Sequence, residues 1–208
     1  MTTMISFIRH GRVHNPEHLL YGRLPRFALS DRGVADAQAV AQTLRAGPSI
    51  SHLYSSPLLR ARQTAEAILT LHPHLVIHIS QLINEVHTSF EGRPLAELAL
   101  LGFDLYAPSP PGYERPGDVL ARMLRFVELV RQRHAGRRVV AVTHGDPITF
   151  VIQWVSGLPI GPRKREALIG LGLSSGYPAP ASITTLTFEV GQGDPRPALS
   201  YVEPVPGG

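Results

Sequence analysis

Short runs of apolar and β-forming residues recur along the chain. Each of the first four holds four or five residues and is bounded by polar or loop-forming residues, which is the pattern of strands buried in a sheet. These runs are residues 4–8, 52–55, 76–79 and 139–142. Two later runs, 183–190 and 199–202, predict further strands at a sheet edge.

Apolar residues at helical spacing fill most of the intervening chain. Ser30 is a suitable N-cap for the first helix, and Pro57 suits the first position of the second, where no N–H donor is needed. The predicted helices are 31–45, 57–71, 95–101, 117–134 and one that follows Asp146-Pro147. Strands alternating with helices favour an α/β fold, a three-layer sandwich with a mainly parallel central sheet and helices on both faces.

The composition is that of an ordinary globular chain. It has 208 residues, of which 43% are hydrophobic and 17% charged. We expect one domain over 1–208, with a flexible tail at 203–208 and a mobile Gly/Ser/Pro-rich loop at 170–180. The absence of cysteine excludes disulfides and thiolate nucleophiles. The first residues do not have the pattern of a secretion signal, so a cytoplasmic location is expected.

The net charge of +4 comes almost entirely from arginine, with Lys164 the only lysine. Arginine suits phosphate and carboxylate because its guanidinium can donate to two oxygens at once. Genome base composition explains the surface arginines equally well. The chain has no basic run with interleaved aromatic residues, which disfavours nucleic acid as a partner, and no apolar stretch long enough to span a membrane.

Polar residues follow three of the predicted strands directly. Arg9-His10 ends the first, Ser55-Ser56-Pro57 the second, and Thr143-His144-Gly145 the fourth. Functional groups of open α/β sheets collect at the carboxyl ends of the strands. We therefore expect these three segments to meet at one edge of the sheet.

Three motifs in this order resemble the histidine phosphatase superfamily, also called the phosphoglycerate mutase-like family. They are Arg9-His10-Gly11, the segment Ser56-Pro57-Leu58-Leu59-Arg60-Ala61-Arg62, and Thr143-His144-Gly145-Asp146. An Arg-His-Gly triplet alone would be a weak signal, but the ordered set is specific. The resemblance covers residues 5–156 and implies phosphoryl transfer without a cofactor.

The chemistry of phosphoryl transfer suits these residue types. The phosphoryl group needs cationic donors around its oxygens, and Arg9, Arg60 and a protonated His144 would supply them. His10 is the candidate nucleophile, since a neutral imidazole can attack phosphorus with one ring nitrogen while the other donates to an acceptor. Gly11, without a side chain, would leave room for the substrate.

A general acid is needed for the leaving oxygen, and the resemblance points to Glu85, just after the third strand. A carboxyl group in a pocket can have its pKa raised enough to hold a proton near neutrality. His87 and Glu91 are the reserve candidates if the loop register differs, and the resemblance implies a structural or peripheral position for Glu91.

The loop after the triplet departs from the family's commonest pattern. Asn15 lies one position earlier than the usual asparagine, yet it remains a candidate for phosphate binding. The resemblance also makes Gly22, Arg23 and Gly145 candidate substrate-binding residues. The departures leave the identity of the substrate open.

Histidine content raises a metal alternative. His10, His14 and His18 have helical spacing, but Pro16 disfavours a helix through them, and His72, His74 and His78 are expected on the surface. We expect no catalytic metal and no cofactor. No glycine-rich phosphate-binding or dinucleotide-binding motif occurs.

The leading interpretation is a phosphomonoester hydrolase that acts on a small phosphorylated metabolite through a phosphohistidine. A phosphoglycerate-type phosphomutase would use the same residues, but segment 91–117 is short and has only Arg93 and Arg115 as basic residues. A catalytically inactive phosphate-binding module is the alternative of another class. A homodimer is left open.

Overall fold

Six strands form one sheet at the centre of the protein. The computed structural model describes residues 2–107, 110–162, 165–189 and 196–203. The strands are β1 (Thr2–Arg9), β2 (His52–Ser55), β3 (Ile77–Ile79), β4 (Arg138–Thr143), β5 (Ile183–Glu189) and β6 (Ala198–Val202). Their order is β3-β2-β4-β1-β5-β6. The first four run parallel, and β5 pairs antiparallel with both β1 and β6.

In the described residues, six α-helices surround the sheet. They are α1 (Asp31–Ala46), α2 (Leu59–Leu71), α3 (Leu95–Leu100), α4 (Pro116–Arg133), α5 (Gly145–Val155) and α6 (Arg165–Ile169), with a short 3-10 helix at Gln81–Ile83. Ser30 caps α1 as predicted, since its hydroxyl accepts the backbone N–H of Gly33. Asp118 stabilises the start of α4 by accepting the backbone N–H of Arg115.

Two apolar clusters pack against opposite faces of the sheet. Alternate residues of β1 face opposite ways, so that Phe7 contacts the cluster formed with α4 and α5, whereas Ile8 contacts the cluster formed with α1 and α2. In β4, Ala141 and Val142 divide in the same way. This confirms the expected three-layer α/β sandwich.

The pairing register brings three strand ends to one edge of the sheet. Arg9 pairs with Thr143 between β1 and β4, and Ser55 pairs with Val142 between β2 and β4. The next residue of each strand therefore enters the same region above the sheet. The expected meeting of the three polar segments is confirmed.

Several local expectations need correction. Pro57 does not begin α2, which starts two residues later at Leu59. The sequence pattern missed α6, which has only 5 residues. His72 is buried rather than on the surface.

The predicted tail begins with Glu203, whose carboxylate accepts the backbone N–H and the hydroxyl of Ser174, while 204–208 lie outside the described residues. No helix in the described part of the chain combines the length and apolar character needed to cross a bilayer.

Candidate active site

Two imidazole rings lie side by side where β1 and β4 end. The rings of His10 and His144 have centroids 5.2 Å apart, and both side chains are buried. Arg60 reaches them from the first turn of α2 and is fully buried. The three motifs that the sequence singled out therefore form one cluster.

The hydrogen bond at Nδ1 sets the tautomer of His10. Nδ1 lies 2.8 Å from the carbonyl oxygen of Gly11, which can only accept, so Nδ1 carries the proton. Burial and the charges of Arg60 and Arg9 lower the pKa of His10 well below its ordinary value. The ring is therefore neutral at physiological pH and its Nε2 carries no proton, as a nucleophile requires.

Arg60 is hydrogen-bonded to both rings. Its Nε donates to Nε2 of His10 at 3.2 Å, and its terminal NH2 lies 3.3 Å from Nδ1 of His144. The same NH2 donates to the carbonyl oxygen of Gly22 at 2.7 Å, and the guanidinium stacks on the ring of Tyr21. Arg60 thus holds a fixed positive charge at the unprotonated nitrogen of His10.

His144 has the opposite tautomer. Its Nδ1 faces Arg60, which can only donate, so the proton is on Nε2, which donates to the hydroxyl of Ser56 at 2.7 Å. That hydroxyl in turn donates to the side-chain oxygen of Asn84 at 3.3 Å. Burial and Arg60 lower the pKa of His144 well below its ordinary value. The motifs predict a protonated His144, but these surroundings favour the neutral ring.

Glu85 lies beside His144, with its Oε2 3.7 Å from Nδ1 of that ring. Burial, and after it the nearby charge of Asp146, raise the pKa of Glu85 to about 7 against the opposing effect of Arg60. A carboxyl group with this pKa is partly protonated near neutrality and can act as an acid and then as a base.

The backbone of Glu85 is fixed by two arginines. Its carbonyl oxygen accepts from Nε of Arg23 at 2.8 Å and from NH2 of Arg122 at 3.1 Å. Glu114 forms ion pairs with both of these arginines and also accepts the backbone N–H of His87. The sequence analysis missed Glu114 and Arg122, because each is an ordinary charged residue far from the three motifs.

Arg9 lines the cavity that opens above His10. One terminal nitrogen donates to the carbonyl oxygen of Pro178 at 2.5 Å, and the guanidinium stacks on Tyr177. Its Nε is buried without a hydrogen-bond partner among the described residues. An N–H group in this position is ready to donate to a bound anion.

Asp146 accepts two tyrosine hydroxyl groups on the cavity wall. Tyr106 donates to one carboxylate oxygen at 2.5 Å and Tyr177 to the other at 2.8 Å. Burial and Asp146 raise the pKa of both hydroxyls, so they remain protonated donors. Tyr177 comes from the loop that the sequence analysis expects to be mobile, and no sequence signal marks it as part of a site.

Two glycines of the motifs have a packing role. A Cβ atom on Gly11 would collide with the carbonyl oxygen of Gly33 in α1, and one on Gly145 would collide with the hydroxyl of Tyr177. Gly11 therefore allows the segment that follows β1 to approach α1 closely, and the expected room for the substrate beside it stays a prediction. Gly145 leaves room for Tyr177.

Comparison with known proteins identifies the family of this site. The sequence model of the histidine phosphatase superfamily, branch 1, matches residues 5–193. The chain belongs to the histidine phosphatase superfamily. Members of this superfamily are phosphatases or mutases, so the protein is a phosphoryl-transfer enzyme of a type that the comparison leaves open.

Proteins similar in sequence or structure align with most of the chain. An uncharacterized protein of Mycobacterium tuberculosis, Rv0525, is 34% identical over 97% of this chain and 96% of its own. The phosphoglycerate mutase-like protein 4 of Arabidopsis thaliana is 32% identical over 69% of this chain and 67% of its own. The mycobacterial glucosyl-3-phosphoglycerate phosphatase Rv2419c has a similar structure, with a TM-score of 0.74, 25% identity and 97% of each chain covered.

The loop that departs from the usual histidine phosphatase pattern is bonded to itself and its neighbours. The side chain of Asn15 accepts the backbone N–H of Leu19 and donates to the carbonyl oxygen of the same residue. Gly22 has a positive φ of 37° and packs against the carboxylate of Glu91, which also accepts the backbone N–H of Arg23. Asn15 and Arg23 are therefore engaged in holding the loop, and Glu91 has a structural contact.

A cation could in principle be held where the two histidines meet Glu85. The ligand atoms of His10, Glu85 and His144 all lie within 4.8 Å of one another. Arg60, however, hydrogen-bonds the unprotonated nitrogen of both rings and already supplies a positive charge there. His14 and His18, which share a spacing of four with His10, lie exposed in the following loop. In this member of the superfamily the geometry favours binding of an anion.

Proposed function

We propose that the protein is a phosphomonoesterase that acts on a small phosphorylated metabolite through a phosphohistidine at Nε2 of His10. The observation that carries the proposal is the pair of contacts on the His10 ring. The carbonyl oxygen of Gly11 accepts a hydrogen bond from Nδ1–H, and Nε of Arg60 lies 3.2 Å from the unprotonated Nε2. A buried neutral imidazole beside a fixed guanidinium has the properties of a nucleophile for a phosphoryl group.

In the first step, the Nε–H of Arg60 turns from Nε2 of His10 to a phosphoryl oxygen. The lone pair of Nε2 then forms a bond to phosphorus, and the bond from phosphorus to the ester oxygen breaks. Glu85 gives its proton to the departing oxygen and becomes a carboxylate, so the first product leaves as a neutral alcohol. Arg9 and Arg60 stabilise the charge on the phosphoryl oxygens. The buried Nε of Arg9, unpartnered among the described residues, is a ready donor for one of these oxygens.

In the second step, water attacks the phosphorus of the phosphohistidine. The Glu85 carboxylate takes a proton from this water, the bond from phosphorus to Nε2 breaks, and inorganic phosphate leaves. Glu85 is then protonated and His10 neutral again. A pKa of about 7 suits Glu85 for both roles, because the two forms of the carboxyl group are close in free energy near neutral pH.

Trapping of the intermediate tests the proposal. Rapid quenching of the enzyme with ³²P-labelled substrate should yield a phosphoprotein that is labile in acid and stable in base. The label should be absent in His10→Ala and present in His14→Ala, which removes an exposed histidine of the same loop. Label that persists in His10→Ala would contradict the assignment.

The runner-up is a phosphomutase, which would return the phosphoryl group to an organic acceptor. A chase of the labelled enzyme distinguishes the two functions, since hydrolysis yields inorganic phosphate whether or not a phosphoglycerate is present. Transfer of the label to added phosphoglycerate would favour the mutase. Of the two basic residues of segment 91–117, Arg93 is exposed and paired with Glu97, and Arg115 lies in solvent. This supports hydrolysis.

Independence from metal ions belongs to the same proposal, since Arg60 supplies the charge that a metal would bring. The cytoplasmic location, the single domain and the homodimer stay predictions.

A further inference from the structure

The cavity above His10 has a polar end and an apolar wall. Its volume is about 280 Å³, which suits a small organic group. Arg9, His10 and Glu85 lie at the polar end. Most of the remaining wall comes from aliphatic and aromatic side chains, namely Leu19, Leu20, Val86, Leu95, Phe103 and Leu105.

The charges that line this cavity are unevenly distributed. Two carboxyl groups, those of Glu85 and Asp146, face it, whereas Arg9 is the one arginine or lysine among its described lining residues. Asp146 accepts hydroxyl hydrogen bonds on both of its oxygens, from Tyr106 and Tyr177, which hold its carboxylate on the cavity wall.

Nearby arginines are engaged elsewhere. Arg23 donates to Glu114 and to the carbonyl oxygen of Glu85, and Arg93 pairs with Glu97. Beyond the phosphate end, the described part of the wall therefore offers no arginine or lysine to a negatively charged leaving group. A carboxylate there would face Asp146 and lose its hydration against aliphatic side chains.

We propose that the enzyme prefers phosphate monoesters of uncharged, mainly apolar alcohols and discriminates against alcohols that carry a carboxylate. The proposal rests on the phosphomonoesterase function proposed above. Asp146 is a specificity-determining residue, since its carboxylate repels an anionic leaving group. The aliphatic wall stabilises an alkyl or aryl leaving group by removing it from water, roughly fourfold in kcat/KM for each buried CH₂ group.

Matched esters test the discrimination in the wild-type enzyme. The amide and the carboxylate of 4-phosphonooxybutanoic acid have nearly the same size and the same type of ester oxygen. They differ by one charge, which lies far from phosphorus. We expect kcat/KM for the amide to exceed that for the carboxylate roughly tenfold or more, the size of like-charge repulsion in a partly dry cavity. From ethyl to pentyl phosphate, kcat/KM should rise. Equal or better use of the carboxylate would overturn the proposal, as would a flat alkyl series.

Two leucine variants of α3 test whether the preference for the uncharged ester arises in this cavity. Leu95→Arg adds a cation to the cavity wall, whereas Leu100→Arg adds the same charge at the far end of the same helix, where the side chain is 88% exposed. The preference for the amide should shrink several-fold in Leu95→Arg and stay unchanged in Leu100→Arg. Equal shrinkage in both would overturn the assignment to the cavity.

The phosphomonoesterase function is checked separately. Labelling of His10 and release of inorganic phosphate from any phosphate monoester, nitrophenyl phosphate included, depend on that function, whichever leaving group the enzyme prefers. If both are absent, the proposed phosphomonoesterase function is wrong. If both are present but the enzyme prefers the carboxylate to the amide, only the inferred substrate class is wrong.

Discussion

The Nε of Arg60 donates to Nε2 of His10 across 3.2 Å, at the ring nitrogen that the bond to Gly11 leaves without a proton. The guanidinium stabilises the neutral ring by disfavouring a second proton there, and it lies within reach of a phosphoryl group bonded to the same nitrogen. Its other contacts, to Gly22 and His144, hold the planar group in one orientation. One buried side chain thus disfavours protonation of the proposed nucleophile and, in the proposed mechanism, supplies a positive charge to the transition state.

Replacement of Arg60 by lysine should therefore separate the effect of its positive charge on activity from the effect of its hydrogen-bond geometry. In Arg60→Lys the charge remains, but a single ammonium cannot reproduce the donors to His10 and Gly22 at once. We expect kcat/KM to fall about 10²- to 10³-fold, the usual effect of removing one preorganised donor. Arg62→Lys, an exposed position of the same helix, is the control. Similar losses in both variants would contradict a special role for Arg60.

Ser56 should matter through His144. In Ser56→Ala the buried Nε2–H of His144 loses its acceptor, so the free energy of unfolding should fall by about 1–3 kcal/mol. Phosphorylation of His10, measured in a single turnover on folded enzyme, should also slow, because the tautomer of His144 is no longer fixed. Ser55→Ala, which removes a buried hydroxyl that donates only to the backbone of Ser56, should lower stability without this kinetic effect.

Residues that follow parallel strands directly could be predicted from the sequence. The strand pattern places His10, Ser56 and His144 one residue beyond β1, β2 and β4, and the parallel register brings them together without further information. Arg60 follows because it lies on the first turn of the next helix. Glu85 depended on the family resemblance, since a glutamate in a loop has no distinguishing pattern of its own.

Contacts between distant loops could not be predicted. Tyr177 reaches Asp146 from 31 residues away, out of a segment whose glycine and proline content conveys only that it is irregular. Gly33 occupies the space beside Gly11, and Tyr177 occupies the space beside Gly145. A glycine in the sequence shows that a side chain is missing there, but it does not show which distant residue packs into the space.

The raised pKa of Glu85 predicts an unusual pH dependence of stability. The ordinary pKa of this carboxyl is 4.5, and burial raises it to about 7 in the folded protein. Between these values the folded state holds a proton that the unfolded state has released, so stability falls as pH rises through this window. Below about 4.5 both states are protonated, and the linkage effect is absent.

Glu85→Gln removes this linkage. From pH 5 to pH 8, its free energy of unfolding should gain on the order of 2 kcal/mol relative to the wild type, measured by urea unfolding. Glu128→Gln, at an exposed position of α4, should show no such gain. A wild-type enzyme that becomes more stable than Glu85→Gln on going to pH 8 would show that the carboxyl group ionises readily in the fold.

Removal of divalent metal ions should leave the activity unchanged. His10, Glu85 and His144 approach one another closely enough to bind a cation, but Arg60 already donates to both rings. Dialysis against EDTA should therefore change kcat/KM by less than twofold. A large loss that one divalent ion restores would mean that the guanidinium moves aside for a metal.

The acid role of Glu85 predicts a dependence on the leaving group. Alkyl phosphates expel a strongly basic alkoxide that needs a proton, whereas nitrophenyl phosphate expels a stabilised phenolate. Glu85→Gln should slow phosphorylation of His10 by about 10²- to 10⁴-fold for an alkyl phosphate and by much less for nitrophenyl phosphate. Single-turnover measurement is required, since hydrolysis of the phosphohistidine is common to both substrates.

The same pair of substrates reports the ionisation of Glu85 in the wild-type enzyme. The second pKa of a phosphate monoester is about 6, so both substrates are largely dianions at higher pH. As pH rises through about 7, Glu85 loses its proton, and the ratio of the alkyl rate to the nitrophenyl rate should fall. Glu85→Gln should abolish this change of ratio. If the variant slows both substrates alike and leaves the pH dependence in place, the proton comes from another group, and the same assays on Glu91→Gln and His87→Ala would identify it.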